Sequence, residues 1–210
     1  FYLPPAVSMI HGVLAQTFFI ITIIIAYSLS NERYKREDMG YNENIRKGSL
    51  LLISFVYVQL ILGALMRHTA SGMAIPDFPT MGGLWFPTFS ESMINNINVE
   101  LFDMDWDLVS KNQVVIHFIH RLGALIVSAF IGYFFFKNKS VIKNNKTLNR
   151  TKWLIILILV IQVSLGVLTI LSEKAPFIAS FHVVNGAALL GLSILLVLRV
   201  HPIEFSKWIK

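Results

Sequence analysis

The 210-residue chain is 55% hydrophobic and only 14% charged, with a mean hydropathy of +0.63. A soluble domain usually carries about 25% charged residues, so this composition points to a membrane protein. Its formal net charge of +6 does not imply nucleic acid, because the basic residues stand in separate short loops between apolar runs and share no face. The absence of cysteine excludes disulfides, thiolate ligands, iron–sulfur clusters and thiol catalysis, which leaves histidine and methionine as the soft ligands.

Val7 to Leu29 reads as a first membrane span, with Pro4 and Pro5 placed where a helix can start and not in its interior. His11 lies in its first turns, as a ligand candidate or as a plain interfacial histidine. Gly12, Ala15 and Thr22 offer small patches for another helix or a flat ligand. Phe1 is not an initiator methionine, and no basic start precedes the apolar run as it does in a signal peptide. The expectation is a piece of a longer chain. Asn31 to Lys47 is a hydrophilic loop, and Arg33, Lys35, Arg36, Arg46 and Lys47 assign it to the cytoplasmic side.

Gly48 to Met66 is the second span. Gln59 in these surroundings needs a hydrogen-bond partner, while Gly63 and Ala64 permit close helix approach. Arg67 and His68 stand at its outer end, where the guanidinium fork suits a carboxylate-bearing ligand. Thr69 to Asn112 is long, irregular and acidic, with Pro76, Pro79, Pro87, the Gly82-Gly83 pair and the interfacial aromatics Trp85, Phe86 and Trp106. Within it, Ile94 to Leu108 reads as a partly amphipathic surface segment.

Val114 to Phe136 opens with His117, His120 and Arg121 and then runs apolar, the third span. Ionisable residues at the mouth of such a helix are costly unless paired or liganded. His117 and His120 lie close to one helix face, with Arg121 turned about 100° from His120. Lys137 to Lys152 holds six basic residues and no acidic one, the strongest cytoplasmic marker in the chain. Trp153 to Leu171, the fourth span, repeats the second: Gln162-Val163-Ser164-Leu165-Gly166-Val167-Leu168 matches Gln59-Leu60-Ile61-Leu62-Gly63-Ala64-Leu65 at glutamine, glycine and leucine positions. Repeated half-units in membrane proteins tend to place a site on their shared axis. Ser172 to Pro176 is a tight turn, and Ile178 to Leu198 is the fifth span, with His182, Gly186 and Gly191. His201 reads as a solvated interfacial residue of the tail.

Fourteen basic residues fall on the inner side against four in or bordering the outer segments, which puts the start of the chain outside and its end inside. His11, His68, His117, His120 and His182 then share the outer depth. A four-span bundle can set His120 and His182 across from each other, and haem suits that arrangement: two imidazoles take the axial positions, small residues admit the ring, and arginine or histidine meets its propionates. Zinc remains a competitor, although no HExxH string is present. A transporter or a scaffold without cofactor also remains, because polar residues inside spans can line a passage.

The strings QLILGALMRHTASGMAIPDFP, IHFIHRLGA, QVSLGVLTIL and FHVVNGAALL, in that order, resemble the haem A synthase family of cytochrome oxidase assembly, and IHGVLAQTFF resembles its fourth span. The resemblance implies an all-α polytopic membrane protein. Residues 48–200 would form the C-terminal four-helix haem-binding half, 1–47 a helix and loop of the other half, and 201–210 a cytoplasmic tail. It implies oxidation of the methyl substituent of haem O to the formyl group of haem A in the bacterial cytoplasmic membrane. His120 and His182 would be the axial pair of a haem B, and His11 one ligand of the substrate haem, with its partner and the family's catalytic glutamate upstream of Phe1. Arg67, His68, His117 and Arg121 would be further haem contacts. Candidate partners are the bilayer, a haem O synthase, an electron-transfer partner and a second copy of the chain. Two features depart from the family: some members carry an external cysteine pair that is absent here, and the segment before His117 is long and acidic. Against this reading stand a membrane bis-histidine b-type electron-transfer cytochrome and a transporter.

Overall fold

A computed structural model describes residues 4–34 and 43–201 of the chain. Lys35, Arg36, Lys207 and Lys210, counted above toward the cytoplasmic side, lie outside the described residues, as does most of the 201–210 tail. Five helices are long and apolar enough to cross a membrane: α1 (Pro5–Ser28), α3 (Glu43–His68), α5 (Lys111–Lys137), α7 (Lys146–Leu171) and α8 (Pro176–Val200). The chain is an all-α polytopic membrane protein. Among the described residues there are also three short helices, α2 (Asn31–Tyr34), α4 (Glu91–Asp103) and α6 (Lys139–Asn144), and a 3-10 turn at Ser71–Met73.

Several of these helices outrun the apolar stretches that define the spans, for local reasons. Glu43 and Lys47 form an i,i+4 ion pair that carries α3 back into the polar loop. The helix therefore crosses the 47/48 boundary expected between the two portions of the chain. Asn145 caps α7, its side chain accepting from the Leu148 amide at 2.9 Å, so that helix starts seven residues before Trp153. At the head of α5, Gln113 accepts from the Ser110 amide at 2.9 Å.

α3, α5, α7 and α8 form a bundle in which α3 packs on both α5 and α8, and α8 packs on α7. α1 lies along α3 and α8. It is fixed there by a 2.6 Å hydrogen bond between Thr17 and Tyr57, and by Gly191, where an added Cβ would stand 3.2 Å from Ile23 and 3.3 Å from Phe19. At the end of α8, Arg199 holds the Glu32 carboxylate with two bonds of 2.6 and 2.8 Å and also donates to Thr151. His201 is tied to α3, accepting from Arg46 Nε at 3.3 Å and meeting the Arg46 carbonyl at 3.1 Å. It is therefore a helix clasp and not the solvated tail residue expected.

The bundle is packed unevenly. Ile45, Leu52, Val127, Ile131, Phe134, Leu148, Ile155, Leu190 and Leu196 fill the end that carries the basic loops. Toward the other end, across residues 57–68, 115–126, 156–171 and 176–188, only His117, Ile170 and Gly186 are buried. That end is capped by the 69–110 segment, whose apolar core of Met73, Ile75, Met93, Ile97 and Leu101 is joined by Val114 of α5. The amphipathic segment expected over Ile94–Leu108 is α4. It begins earlier because Ser90 caps it, and it stops at Asp103 because Asp105 takes a left-handed backbone with φ 58°.

Candidate functional site

The glutamine–glycine repeat seen in the sequence becomes a structural duplicate around two imidazoles. On α3, Gln59 Nε2 lies 3.2 Å from His120 Nδ1 and donates to the His120 carbonyl at 2.9 Å. On α7, Gln162 Nε2 lies 3.3 Å from His182 Nε2. Each glutamine is followed four residues later, one helix turn on, by a glycine beneath the same ring. A Cβ at Gly63 would stand 3.3 Å from His120 Cε1, and one at Gly166 would stand 3.2 Å from His182 Cε1. Both separations are tighter than ordinary contact, so only glycine leaves the rings where they are.

The duplication extends to the helices that bear the histidines. A Cβ at Gly123, three residues after His120, would collide with Gln59 Oε1, and one at Gly186, four after His182, would come within 3.2 Å of Gln162 Nε2. Asn185 completes the second copy by donating to Gln162 Oε1 at 2.8 Å and to the Ile158 carbonyl at 2.9 Å. The first copy has no such support, and Gln59 Oε1 is buried without a partner. Sequence reading identified Gln59 and Gln162 as a repeat but missed their role, and it missed Asn185 altogether. The signal was available as a second polar residue three after His182 in an otherwise apolar helix.

His120 and His182 are half-buried. His120 is engaged through Nδ1, and its Nε2 has no hydrogen bond among the described residues. His182 is engaged through Nε2, and its Nδ1 is buried without a partner. Each ring thus keeps one nitrogen uncommitted, as an axial ligand must. The donor set fits a two-ligand iron porphyrin: two imidazoles, one on α5 and one on α8, each with an uncommitted nitrogen and a glycine packed against its ring. Among the described residues no three of His, Cys, Asp or Glu converge in the manner of a tetrahedral metal-ion site.

The other candidates are placed apart from this pair. His11 is exposed on α1, Arg67 is exposed, and His68 is half-buried at the end of α3. His117 is buried at 2% exposure, with Nδ1 3.2 Å from the Ile75 amide and Nε2 3.1 Å from Arg121 Nε. A neutral ring accepts at one nitrogen only, so it satisfies one of these donors at a time. Arg121 directs its remaining donors at the cap, to the carbonyls of Thr80 at 3.0 Å, Ile75 at 2.8 Å and Asp77 at 2.9 Å.

Asp77 closes the same loop from within. Its two carboxylate oxygens accept from the Gly82 and Gly83 amides at 2.7 and 2.9 Å, and both glycines have positive φ, 63° and 76°. Burial alone would raise the Asp77 carboxyl above its ordinary 3.8, but hydrogen bonds from Thr80, Gly83 and Gly82 outweigh it and hold the value lower. Glu100 is shifted the opposite way, first by desolvation and then by the charge of Asp77.

Comparison with known proteins adds family information. Residues 2–194 match the COX15-CtaA family, described as cytochrome oxidase assembly protein. The chain is 32% identical over 146 residues to a protein named heme A synthase from Rickettsia bellii (strain RML369-C), covering 70% of this chain and 40% of that one. It is 26% identical over 144 residues to the heme A synthase of Paracoccus denitrificans (strain Pd 1222), covering 67% of this chain and 34% of that protein. It is 28% identical over 166 residues to heme A synthase COX15 of Saccharomyces cerevisiae (strain ATCC 204508 / S288c), covering 77% of this chain and 34% of the yeast protein. The match thus spans between 34% and 40% of the length of these curated relatives.

Proposed function

Because the chain belongs to the COX15-CtaA family of cytochrome oxidase assembly proteins, we propose that it forms the haem B-holding portion of a haem A synthase, which oxidises the methyl substituent of haem O to the formyl group of haem A. The observation that supports this most is the duplicated cradle of Gln59, Gly63 and His120 against Gln162, Gly166 and His182. In this reading His120 and His182 hold the iron of haem B, and that group supplies one-electron redox chemistry when bound. Gln59 and Gln162 orient the imidazoles, Gly63 and Gly166 leave room for the rings, and Gly123 and Gly186 leave room for the glutamines. Second-sphere partners of this kind fix the tautomer and direction of a ligating histidine.

His11, apart from that pair, is assigned to the substrate haem, with the remainder of that site on the other half of the enzyme. Arg67 and His68 stay candidates for the haem carboxylates. His117 and Arg121 are assigned to holding the cap, since the Arg121 donors are occupied by loop carbonyls and by His117. The same reading places the chain in a bacterial cytoplasmic membrane with its start outside and its end inside, residues 48–200 forming the haem-binding half. It would be supplied by a haem O synthase and coupled to an electron-transfer partner. A b-type electron-transfer cytochrome is the second reading, favoured by the exposure of His11 where His120 and His182 are half-buried.

Reduced-minus-oxidised and pyridine haemochrome spectra of the purified protein test the assignment. The expected result is haem B in the wild type and its loss in His120→Ala and in His182→Ala. Haem O should be converted to haem A only when the upstream region is also present. Haem B without conversion in that longer protein would select the cytochrome, and a folded longer protein with no haem would overturn both readings.

A further inference from the structure

Away from the imidazole cradle, at the basic end of the bundle, a groove of about 190 Å³ runs between α3 and α5. Its polar lining is Lys47, Lys137 and Asn138, and its apolar lining includes Leu51, Phe130 and Phe134. Gly48 sets the shape. A Cβ there would lie 2.7 Å from two ring carbons of Phe134, so the missing side chain lets that ring pack against the α3 backbone. The volume lies below the ~300 Å³ at which small-molecule pockets usually begin, enough for a headgroup and the first carbons of a chain.

Lys47 and Lys137 are both exposed. Lys47 pairs with Glu43 at i,i+4, and the Lys137 ammonium lies 5.6 Å from the centroid of the Tyr133 ring. Exposed i,i+4 pairs are weak, about 0.3–0.5 kcal/mol, so Glu43 is readily exchanged for a stronger anion. The next turns of chain add Lys139 and Lys143 and no acid, so the field around the groove is positive. Leu51 is 52% exposed and Tyr133 55%, so the groove opens sideways toward the bilayer.

We infer that this groove binds an anionic phospholipid, its phosphate between Lys47 and Lys137 and an acyl chain along Leu51, Phe130 and Phe134. A soluble anion would make no use of the apolar lining, and a neutral lipid would make none of the lysines. Basic pockets between membrane helices at a bilayer face take anionic headgroups on this principle.

Native mass spectrometry of the purified chain with phosphatidylglycerol and with phosphatidylcholine reads the preference directly. Each lysine near an anionic headgroup is worth about fivefold in affinity. Lys47→Gln with Lys137→Gln should therefore lower phosphatidylglycerol binding about 25-fold and leave phosphatidylcholine unchanged. The equal charge change Lys146→Gln with Arg150→Gln, on exposed residues outside the groove, should alter it less than threefold. An equal loss in both double variants, equal binding of the two lipids by the wild type, or displacement of phosphatidylglycerol by inorganic phosphate would each overturn the proposal. Matching helical circular dichroism of the two double variants keeps folding out of the comparison.

Discussion

Removing the guanidinium of Arg121 is the most direct way to separate the cap from the bundle. Arg121→Ala deletes three bonds of 2.8 to 3.0 Å to the carbonyls of Ile75, Asp77 and Thr80 and a fourth to His117. Hydrogen bonds to a charged donor contribute about 1.5–3 kcal/mol each, but these share one group and do not add fully. A total of about 3–5 kcal/mol is expected for a part-buried cluster that loses the guanidinium at its centre. The loss should appear as local opening of the loop and not as global unfolding, because the cap keeps its own apolar core. Amide hydrogen exchange at Gly82, bonded to Asp77, and at Ala74, bonded to Ser71, should then accelerate at least about 100-fold. Arg121→Lys should fall between, since an ammonium keeps the charge but not the fork. Exchange within threefold of wild type in Arg121→Ala would refute the reasoning and leave the carbonyl contacts without energetic weight.

The remaining expectations concern the cradle, the acid limit of the loop and the clasp at the far end. Gly166→Ala forces a shift of a few tenths of an ångström on His182, so under the proposed haem-binding function the absorbance of the bound haem should move while helical content stays constant, whereas Gly132→Ala, which meets nothing within 4 Å, should be silent. The carboxyl of Asp77 titrates lower in the folded chain than in the unfolded one. Its stabilisation is therefore present above the ordinary 3.8 and lost as pH falls below that through the folded value, a change that Trp85 fluorescence can follow. In Asp77→Asn the carboxyl of Glu100 should titrate closer to its ordinary 4.5, read by side-chain NMR, with part of the shift remaining because desolvation is the larger cause. Arg199→Ala should cost about 1–2 kcal/mol for a partly exposed bidentate pair and lower Tm by about 2–8 °C in a thermal scan.

The spans were readable because a bilayer demands length and apolarity, and both are properties of contiguous sequence. The two glutamine–glycine strings were readable as a repeat for the same reason. The partners of Arg121 were not, because three are backbone carbonyls, which every residue has and no residue type advertises. The clasp between His201 and Arg46 joins residues 155 apart, and a histidine just past a span carries no local mark of such a contact. Asp77 did leave a trace, an aspartate five residues before a Gly-Gly pair. Its meaning depends on both amides turning inward, which only the folded loop shows. Helix ends were misjudged wherever a cap or ion pair outweighed hydropathy, as at Asn145 and Glu43.

The uneven filling of the bundle bears on how the protein is made. Its basic end carries a buried apolar core and the Arg199 clasp, neither of which involves His120 or His182. That base can mature in the bilayer on its own, like a vase whose foot is fired before its neck. Under the proposed haem-binding function, loading of the cradle would then belong to the closing stage of biogenesis, after the helices have found their neighbours.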